Sequence, residues 1–248
     1  MAKVLIVTGG SRGIGSATAT LAAQRGYAVC VNYRKNRAAA DTVVSEIQAE
    51  GGKALAVGAD VASEQDVVRL FATVDAQLGP LTALVNNAGI LERQARVEHI
   101  DAARIDRVFA TNVRGAFLCA REAVRRLSTK HGGGGGAIVN VSSRAAQLGA
   151  PGEYVDYAAS KAALDALTIG LAREVAAEGI RVNGVRAGII HTEIHADGGE
   201  PGRVDRLGPT LPMQRGGHAI EVARAILWLL SDEASYSTAS FIDVAGGR

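Results

Sequence analysis

The chain has 248 residues, 48% of them hydrophobic, with 30 glycines and only 4% aromatics; this excludes a disordered or low-complexity chain and supports a large core of small aliphatic side chains. Its 27 basic and 25 acidic residues are interspersed, for a formal charge of +2, and no basic stripe suited to nucleic acid runs along it. Cys30 and Cys119 are too few for a disulfide scaffold, no apolar run reaches the length of a membrane span, and a strand starting at Lys3 leaves no room for a leader, so the expected compartment is the cytoplasm.

In chain order, apolar runs predict strands at Val4–Val7, Ala28–Val31, Ala54–Val57, Ala83–Val85, Ala137–Val141, Ile180–Val185 and Phe241–Val244. Segments with helical periodicity lie between them, with Gly26, Gly51, Gly79 and Gly179 as C-terminal stops. Such alternation predicts right-handed crossovers and a doubly wound (Rossmann) parallel seven-stranded sheet in a three-layer α/β/α fold. The expectation is a single domain, 1–248, with its ligand beyond the carboxyl ends of the strands. Cys30 reads as a small core residue, and Arg121, Arg125 and Arg126 as a solvated helix face. Gly132–Gly136 lacks the Lys-Ser/Thr of a phosphate-binding P-loop and reads as a flexible surface turn. The 191–217 stretch, rich in Gly and Pro, reads as a substrate loop or lid. His191 and His195 lie within it, but the glutamate between them is misplaced for a zinc motif; no metal site is expected.

Two motifs carry chemistry. Thr8-Gly9-Gly10-Ser11-Arg12-Gly13-Ile14-Gly15 follows the first strand and opens the first helix, where glycines let a pyrophosphate approach the backbone and the uncapped N–H groups. The second strand ends Val31-Asn32-Tyr33-Arg34-Lys35, without the acid that accepts ribose hydroxyls in NAD sites; Arg34 and Arg12 suit a 2′-phosphate, which favours NADP(H) over NAD(H). The second motif is Tyr157-Ala-Ala-Ser-Lys161, which puts a phenol and an ammonium one helical turn apart. A nearby cation is expected to lower the phenol pKa and fit it for proton transfer.

With Asp60-Val61, Asn86-Asn87-Ala88-Gly89, Asn112 and Ser142-Ser143 in order between and around these motifs, the chain resembles the single-domain short-chain dehydrogenase/reductases over essentially its full length, and looks closest to their carbonyl reductases and sugar dehydrogenases. The resemblance implies an NADP-dependent oxidoreductase acting on CH–OH and C=O groups of a small-molecule substrate. Its catalytic set would be Asn112, Ser143, Tyr157 and Lys161: Tyr157 as general acid/base, Lys161 holding the nicotinamide ribose and depressing the Tyr157 pKa, Ser143 positioning the carbonyl, and Asn112 holding a relay water. The cofactor would be bound by Gly9, Ser11, Arg12, Ile14, Gly15, Tyr33, Arg34, Asp60, Val61, Asn86, Ala88, Gly89, Tyr157, Lys161, Ile190 and Thr192. Substrate choice would rest on Leu91–Arg96, Ala145–Tyr154 and the 191–217 loop. The family's Pro-Gly after the sixth strand is Ala187-Gly188 here, which predicts a looser turn. A homo-oligomer, tetramer or dimer, packed through Asp243–Gly247 is also implied, with no nucleic-acid or membrane partner. The competing reading is a non-catalytic NADP-binding sensor of the same fold.

Overall fold

The computed structural model describes residues 3–248. Seven parallel strands form one sheet in the order β3-β2-β1-β4-β5-β6-β9: β1 (Lys3–Val7), β2 (Tyr27–Tyr33), β3 (Ala54–Gly58), β4 (Ala83–Asn86), β5 (Gly136–Ser143), β6 (Ile180–Ala187) and β9 (Phe241–Val244). The order reverses between β1 and β4, so their carboxyl ends flank the crevice where ligands bind in such sheets. The doubly wound α/β fold is as expected. A second, two-stranded sheet, β7 (Ile190–His191) with β8 (Gly217–His218), pins the two ends of the predicted substrate loop together.

Alternation along the strands divides the core between two faces. Leu5, Val7, Val29, Val31, Val139 and Val141 pack under α1 (Gly13–Gln24) and α10 (Ala219–Leu230). On the other face Val4, Ile6, Cys30, Ile138 and Val182 pack under α3 (Glu64–Gln77), α5 (Gly115–Leu127) and α7 (Val155–Val175). Burial by hydrocarbon raises the Cys30 thiol far above its ordinary value, so it behaves as core. Asn36 caps α2 (Arg37–Ala49), Ser63 caps α3 and Asp101 caps α4 (Ala102–Phe109), each by accepting a first-turn N–H. The four predicted stops, Gly26, Gly51, Gly79 and Gly179, all adopt left-handed backbone.

Two expectations change. The glycine run is only in part an open surface turn: Gly132 and Gly134 face open space, but Gly136 begins β5, and a Cβ on Gly133 would lie 2.3 Å from the Arg126 carbonyl, one on Gly136 2.4 Å from that of Thr82. At those two positions only hydrogen fits. Arg121, Arg125 and Arg126 are not simply solvated; all three pair with Glu122, which is buried beneath them. Ala187 ends β6, and its carbonyl accepts from the Arg144 N–H (2.9 Å) and Ser143 Oγ (3.4 Å), which ties the turn to the end of β5.

Candidate active site

The glycine turn is held by side chains that have little else to do. Asn32, buried at the end of β2, donates to the carbonyls of Val57 (3.2 Å) and Ala59 (3.0 Å) and accepts from the Gly9 N–H (3.3 Å). Thr8 Oγ1 accepts from the N–H groups of Asn87 and Ala88, and Asn87 Nδ2 returns bonds to the carbonyls of Thr8 and Gly9. The turn is therefore latched to β2 and to the loop after β4. Gly15 sits under it: a Cβ there would be 2.2 Å from the Gly9 carbonyl oxygen. Arg12 offers no side-chain cap to α1, so among the described residues the first-turn amides keep their donors for a ligand.

A groove runs from this turn along the carboxyl ends of β1, β2 and β4. Gly9, Ser11, Arg12, Ile14, Tyr33 and Arg34 face it on one side, and Asp60, Val61, Ala88, Gly89 and Thr192 on the other. Both candidate phosphate ligands have carboxylate neighbours: Arg12 bonds Asp197, and Arg34 lies 3.9 Å from Asp60. These pairs are exposed and exchangeable, so either guanidinium is free to turn to an anion at small cost.

The four candidate catalytic residues converge where β4, β5 and α7 meet. Between α4 and α5 the helix widens into a π-turn, Ala110–Arg114, a feature that often marks a functional site, and Asn112 lies in it. Asn112 Nδ2 donates to the Ile90 carbonyl and to Ser160 Oγ, both at 3.0 Å, while Oδ1 accepts from the Ile90 N–H (2.8 Å). Its side chain thus ties the loop after β4 to α7. Lys161 Nζ donates to the Val141 carbonyl (2.8 Å) and lies 5.6 Å from the centre of the Tyr157 ring. Ser143, at the end of β5, accepts from the Ala145 N–H (3.1 Å), donates to the Ala187 carbonyl (3.4 Å) and lines the same pocket as Tyr157. Ser142 is buried and donates to the Lys161 carbonyl.

The electrostatics differ from the sequence expectation. Burial pushes the Tyr157 phenol up to about 12, with the Ser143 hydroxyl pulling the other way, and burial lowers the Lys161 ammonium to about 8, with Asp165 opposing. The cation does not depress the phenol here, because desolvation dominates both groups. A phenol so placed stays protonated at neutral pH.

Beside Tyr157 a pocket opens between the loop after β4, the 145–154 segment and the substrate loop. Leu91, Leu148, Ile189 and Ile194 supply apolar wall; Tyr154 and Arg203 supply a polar one. The substrate loop carries two short helices, α8 (Ile194–Asp197) and α9 (Arg203–Leu207). Arg203 straps it down: its guanidinium bonds Glu153 twice (3.0 and 2.5 Å) and Glu200 (2.8 Å), and lies 5.2 Å above the Tyr154 ring. Tyr154 OH donates to the Gly198 carbonyl (3.3 Å), and Gln94 to Glu200 (2.6 Å). His195 faces the same pocket with its Nε2–H on the Ile190 carbonyl (2.9 Å), whereas His191 is exposed and stacks on His218. Ile190 and Thr192 border the pocket, as do Tyr157 and Lys161.

Two predicted cofactor residues lie elsewhere. Asn86 points below the sheet and donates to Asn140 Oδ1 (3.0 Å) and the Ala116 carbonyl (3.3 Å); its neighbour Asn87 faces both groove and pocket. The period of two along a strand makes 86 and 87 opposite in direction, and that signal distinguishes them. Gly15 supports the turn from beneath rather than facing the groove. Glu153, Glu200 and Arg203 fall in the segments expected to set substrate choice, but the strap itself was not legible, because nothing local links Arg203 to a glutamate fifty positions earlier.

Comparison with known proteins accords with this arrangement. A family model described as enoyl-(acyl carrier protein) reductase matches residues 9–248. An oxidoreductase of Escherichia coli K12, YgfF, is 63% identical over 99% of both chains, and a 3-oxoacyl-[acyl-carrier-protein] reductase of Staphylococcus aureus Mu50 is 37% identical over 100% of this chain and 98% of its own. Among solved structures, a short-chain dehydrogenase of Burkholderia cenocepacia in complex with NADP superposes with TM-score 0.90 at 33% identity, covering 100% of this chain and 98% of its own. A Serratia marcescens short-chain dehydrogenase/reductase variant superposes with TM-score 0.91 at 35% identity over the same shares. The chain belongs to the short-chain dehydrogenase/reductase family of oxidoreductases.

Proposed function

We propose that this oxidoreductase uses NADP(H) and reduces a small carbonyl compound, or oxidises the matching alcohol, with Tyr157 as the proton-transfer group. The observation that carries the reading is the meeting of Tyr157, Ser143 and Lys161 at the pocket that joins the glycine-turn groove, with Asn112 tied to their helix through Ser160. The groove suits a dinucleotide: a Cβ at Gly15 would collide with the turn, the first-turn amides of α1 have no side-chain cap among the described residues, and Arg12 and Arg34 flank it without an acid at the end of β2. Ser11, Ile14 and the backbone of Gly9 would hold the pyrophosphate, Tyr33, Arg34 and Arg12 the 2′-phosphorylated ribose, and Asp60, Val61, Ala88 and Gly89 the adenosine. Ile190 and Thr192 would hold the nicotinamide end. The NADP-bound Burkholderia relative supports the phosphate form.

When bound, the cofactor supplies or takes the hydride. Ser143 Oγ then donates a hydrogen bond to the carbonyl oxygen and stabilises the charge that develops there. Tyr157, protonated at neutral pH, gives its proton to the same oxygen; in oxidation it takes that proton back. Lys161, fixed on the Val141 carbonyl, holds the ribose and supplies positive charge beside the phenol.

The test is NADPH oxidation with a panel of ketones, diketones and 3-oxoacyl thioesters. We expect turnover with at least one, and a loss of about 10²–10⁴-fold in Tyr157→Phe, the range of general acid catalysis. Tight NADPH binding without hydride transfer to any of them would instead select the sensor reading.

A further inference from the structure

The catalytic helix begins without a cap of its own. Tyr154, at the N-cap of α7, offers no side-chain hydrogen bond to the first turn among the described residues, yet that turn carries Tyr157. The turn is held from outside. Asp156, the residue before Tyr157, is buried, and both its oxygens accept from the Arg104 guanidinium: Nε to Oδ2 at 2.7 Å and Nη2 to Oδ1 at 3.0 Å. The third guanidinium nitrogen donates to the Arg93 carbonyl at 2.6 Å, in the loop whose Leu91 lines the substrate pocket. Only about a tenth or less of either side chain is exposed (10% and 4%).

Arg104 itself is well fixed. Its N–H is the one that Asp101 caps (2.7 Å), and α4 runs through the π-turn into α5. That same stretch carries Asn112, which donates to Ser160 Oγ; Ser160 in turn donates to the Tyr157 carbonyl (2.7 Å). Two cross-links from one helical run therefore grip α7 on either side of Tyr157, at Asp156 and at Ser160. The Asn112 link is part of the expected catalytic set. The Arg104 link is not, and it touches no reacting atom.

We propose that Arg104 and Asp156 are positioning residues: their ion pair sets where Tyr157 stands over the nicotinamide and couples that placement to the wall formed by Leu91. The assignment rests on the function proposed above. A bidentate, buried fork fixes distance and angle together, which a lysine or a lone hydrogen bond would not. A general acid displaced by about 1 Å loses on the order of 10²-fold in rate, so a clamp on the adjacent residue acts on turnover more than on binding.

Removing one partner alone leaves a buried charge and risks unfolding, so the informative variant is the apolar pair Arg104→Met/Asp156→Leu, which often keeps or raises stability where a buried ion pair is replaced. With NADPH and the best carbonyl of the panel, we expect its kcat to fall about 10- to 100-fold, with the KM for NADPH within about threefold of wild type and thermal unfolding little changed. Amide exchange in peptides spanning 153–160 should quicken while the glycine turn is unaffected. Arg104→Lys keeps the charge with one fewer bond and should recover part of kcat. Wild-type kcat in the apolar pair overturns the proposal; so does a loss of kcat no larger than the loss of folded enzyme. If the pair fails to fold, Arg104→Lys decides: unchanged kcat with faster exchange at 153–160 refutes the clamp. Absence of turnover in the wild type defeats the functional reading, and the exchange measurement still judges the clamp on its own.

Discussion

The groove half and the pocket half of this site are built from different materials. Around the glycine turn, backbone groups make the surface, and the few side chains involved, Thr8, Asn32 and Asn87, are used to tie backbone to backbone. Around the pocket, charged side chains join segments far apart in sequence: Arg203 to Glu153 and Glu200, Arg104 to Asp156. A backbone-built surface tolerates almost no added atoms, whereas a side-chain-built one tolerates substitution at a graded cost. The two halves should therefore fail differently.

The largest effect is expected at Gly15. Its Cβ position lies 2.2 Å from the Gly9 carbonyl oxygen, and backbone cannot swing aside as a side-chain tip can. Gly15→Val should displace the turn, cost about 1–3 kcal/mol of stability by overpacking, and abolish measurable NADPH binding. Calorimetric titration with NADPH alongside thermal unfolding checks both; near-normal affinity would mean that the turn is not backbone-limited.

Arg203→Met tests the opposite half. With the strap cut, the 191–217 loop should become more open to proteolysis and exchange, and KM for the carbonyl substrate should rise about tenfold while NADPH affinity holds, the pattern of lost ground-state binding. Acid reaches the strap only late. Arg206, then Arg203, hold the Glu200 carboxyl down at about 2, so its contribution is present above the ordinary carboxylate range and is lost only as pH falls toward that value.

The same contrast explains what could be read from the chain. Seven strands, their parallel order of connection and four helix stops followed from local signals: apolar runs, Gly26 and its counterparts, and the strand–turn–helix passage at 8–15. The turn was legible because glycine is the only residue that meets its steric demand. The orientation of Asn86 was misjudged because a motif names a position and not a direction, and the direction comes from the strand's pleat. The packing of Gly133 and Gly136 against Arg126 and Thr82 was invisible because it depends on which loops meet, and the same holds for the pairing of Arg104 with a residue 52 positions on. The protonation of Tyr157 was not legible for a further reason: spacing shows that a lysine is near, but not how much water both groups have lost.

A smaller effect is expected where the groove does rely on side chains. Arg34 is exposed and shares Asp60 at 3.9 Å, so its removal should leave stability untouched. Arg34→Ala should weaken NADPH by about tenfold, the worth of one charge-assisted hydrogen bond, and NADH hardly at all. Equal losses for both cofactors would place the 2′-phosphate elsewhere in the groove.

The smallest and most discriminating effect is in the pH profile, since the two buried groups of the pocket titrate in different places. Tyr157, at about 12, stays protonated through the whole neutral range and cannot limit reduction there. Lys161, at about 8, can: above that value its charge is lost, so reduction should decline as pH rises through about 8. Lys161→Arg, whose guanidinium does not deprotonate, should be slower overall but lack this decline. Oxidation of the alcohol needs the phenolate and should climb with pH instead. Stability moves in step with the same group. Because the folded pKa of Lys161 lies below its ordinary 10.5, the buried ammonium opposes folding below about pH 8, and that opposition fades as pH rises toward 10.5. Lys161→Met should therefore unfold at a higher temperature than wild type at neutral pH, with the gap closing in alkali. A gap that widened with pH would mean that the ammonium is stabilised in the fold, and that Asp165 rather than desolvation governs Lys161.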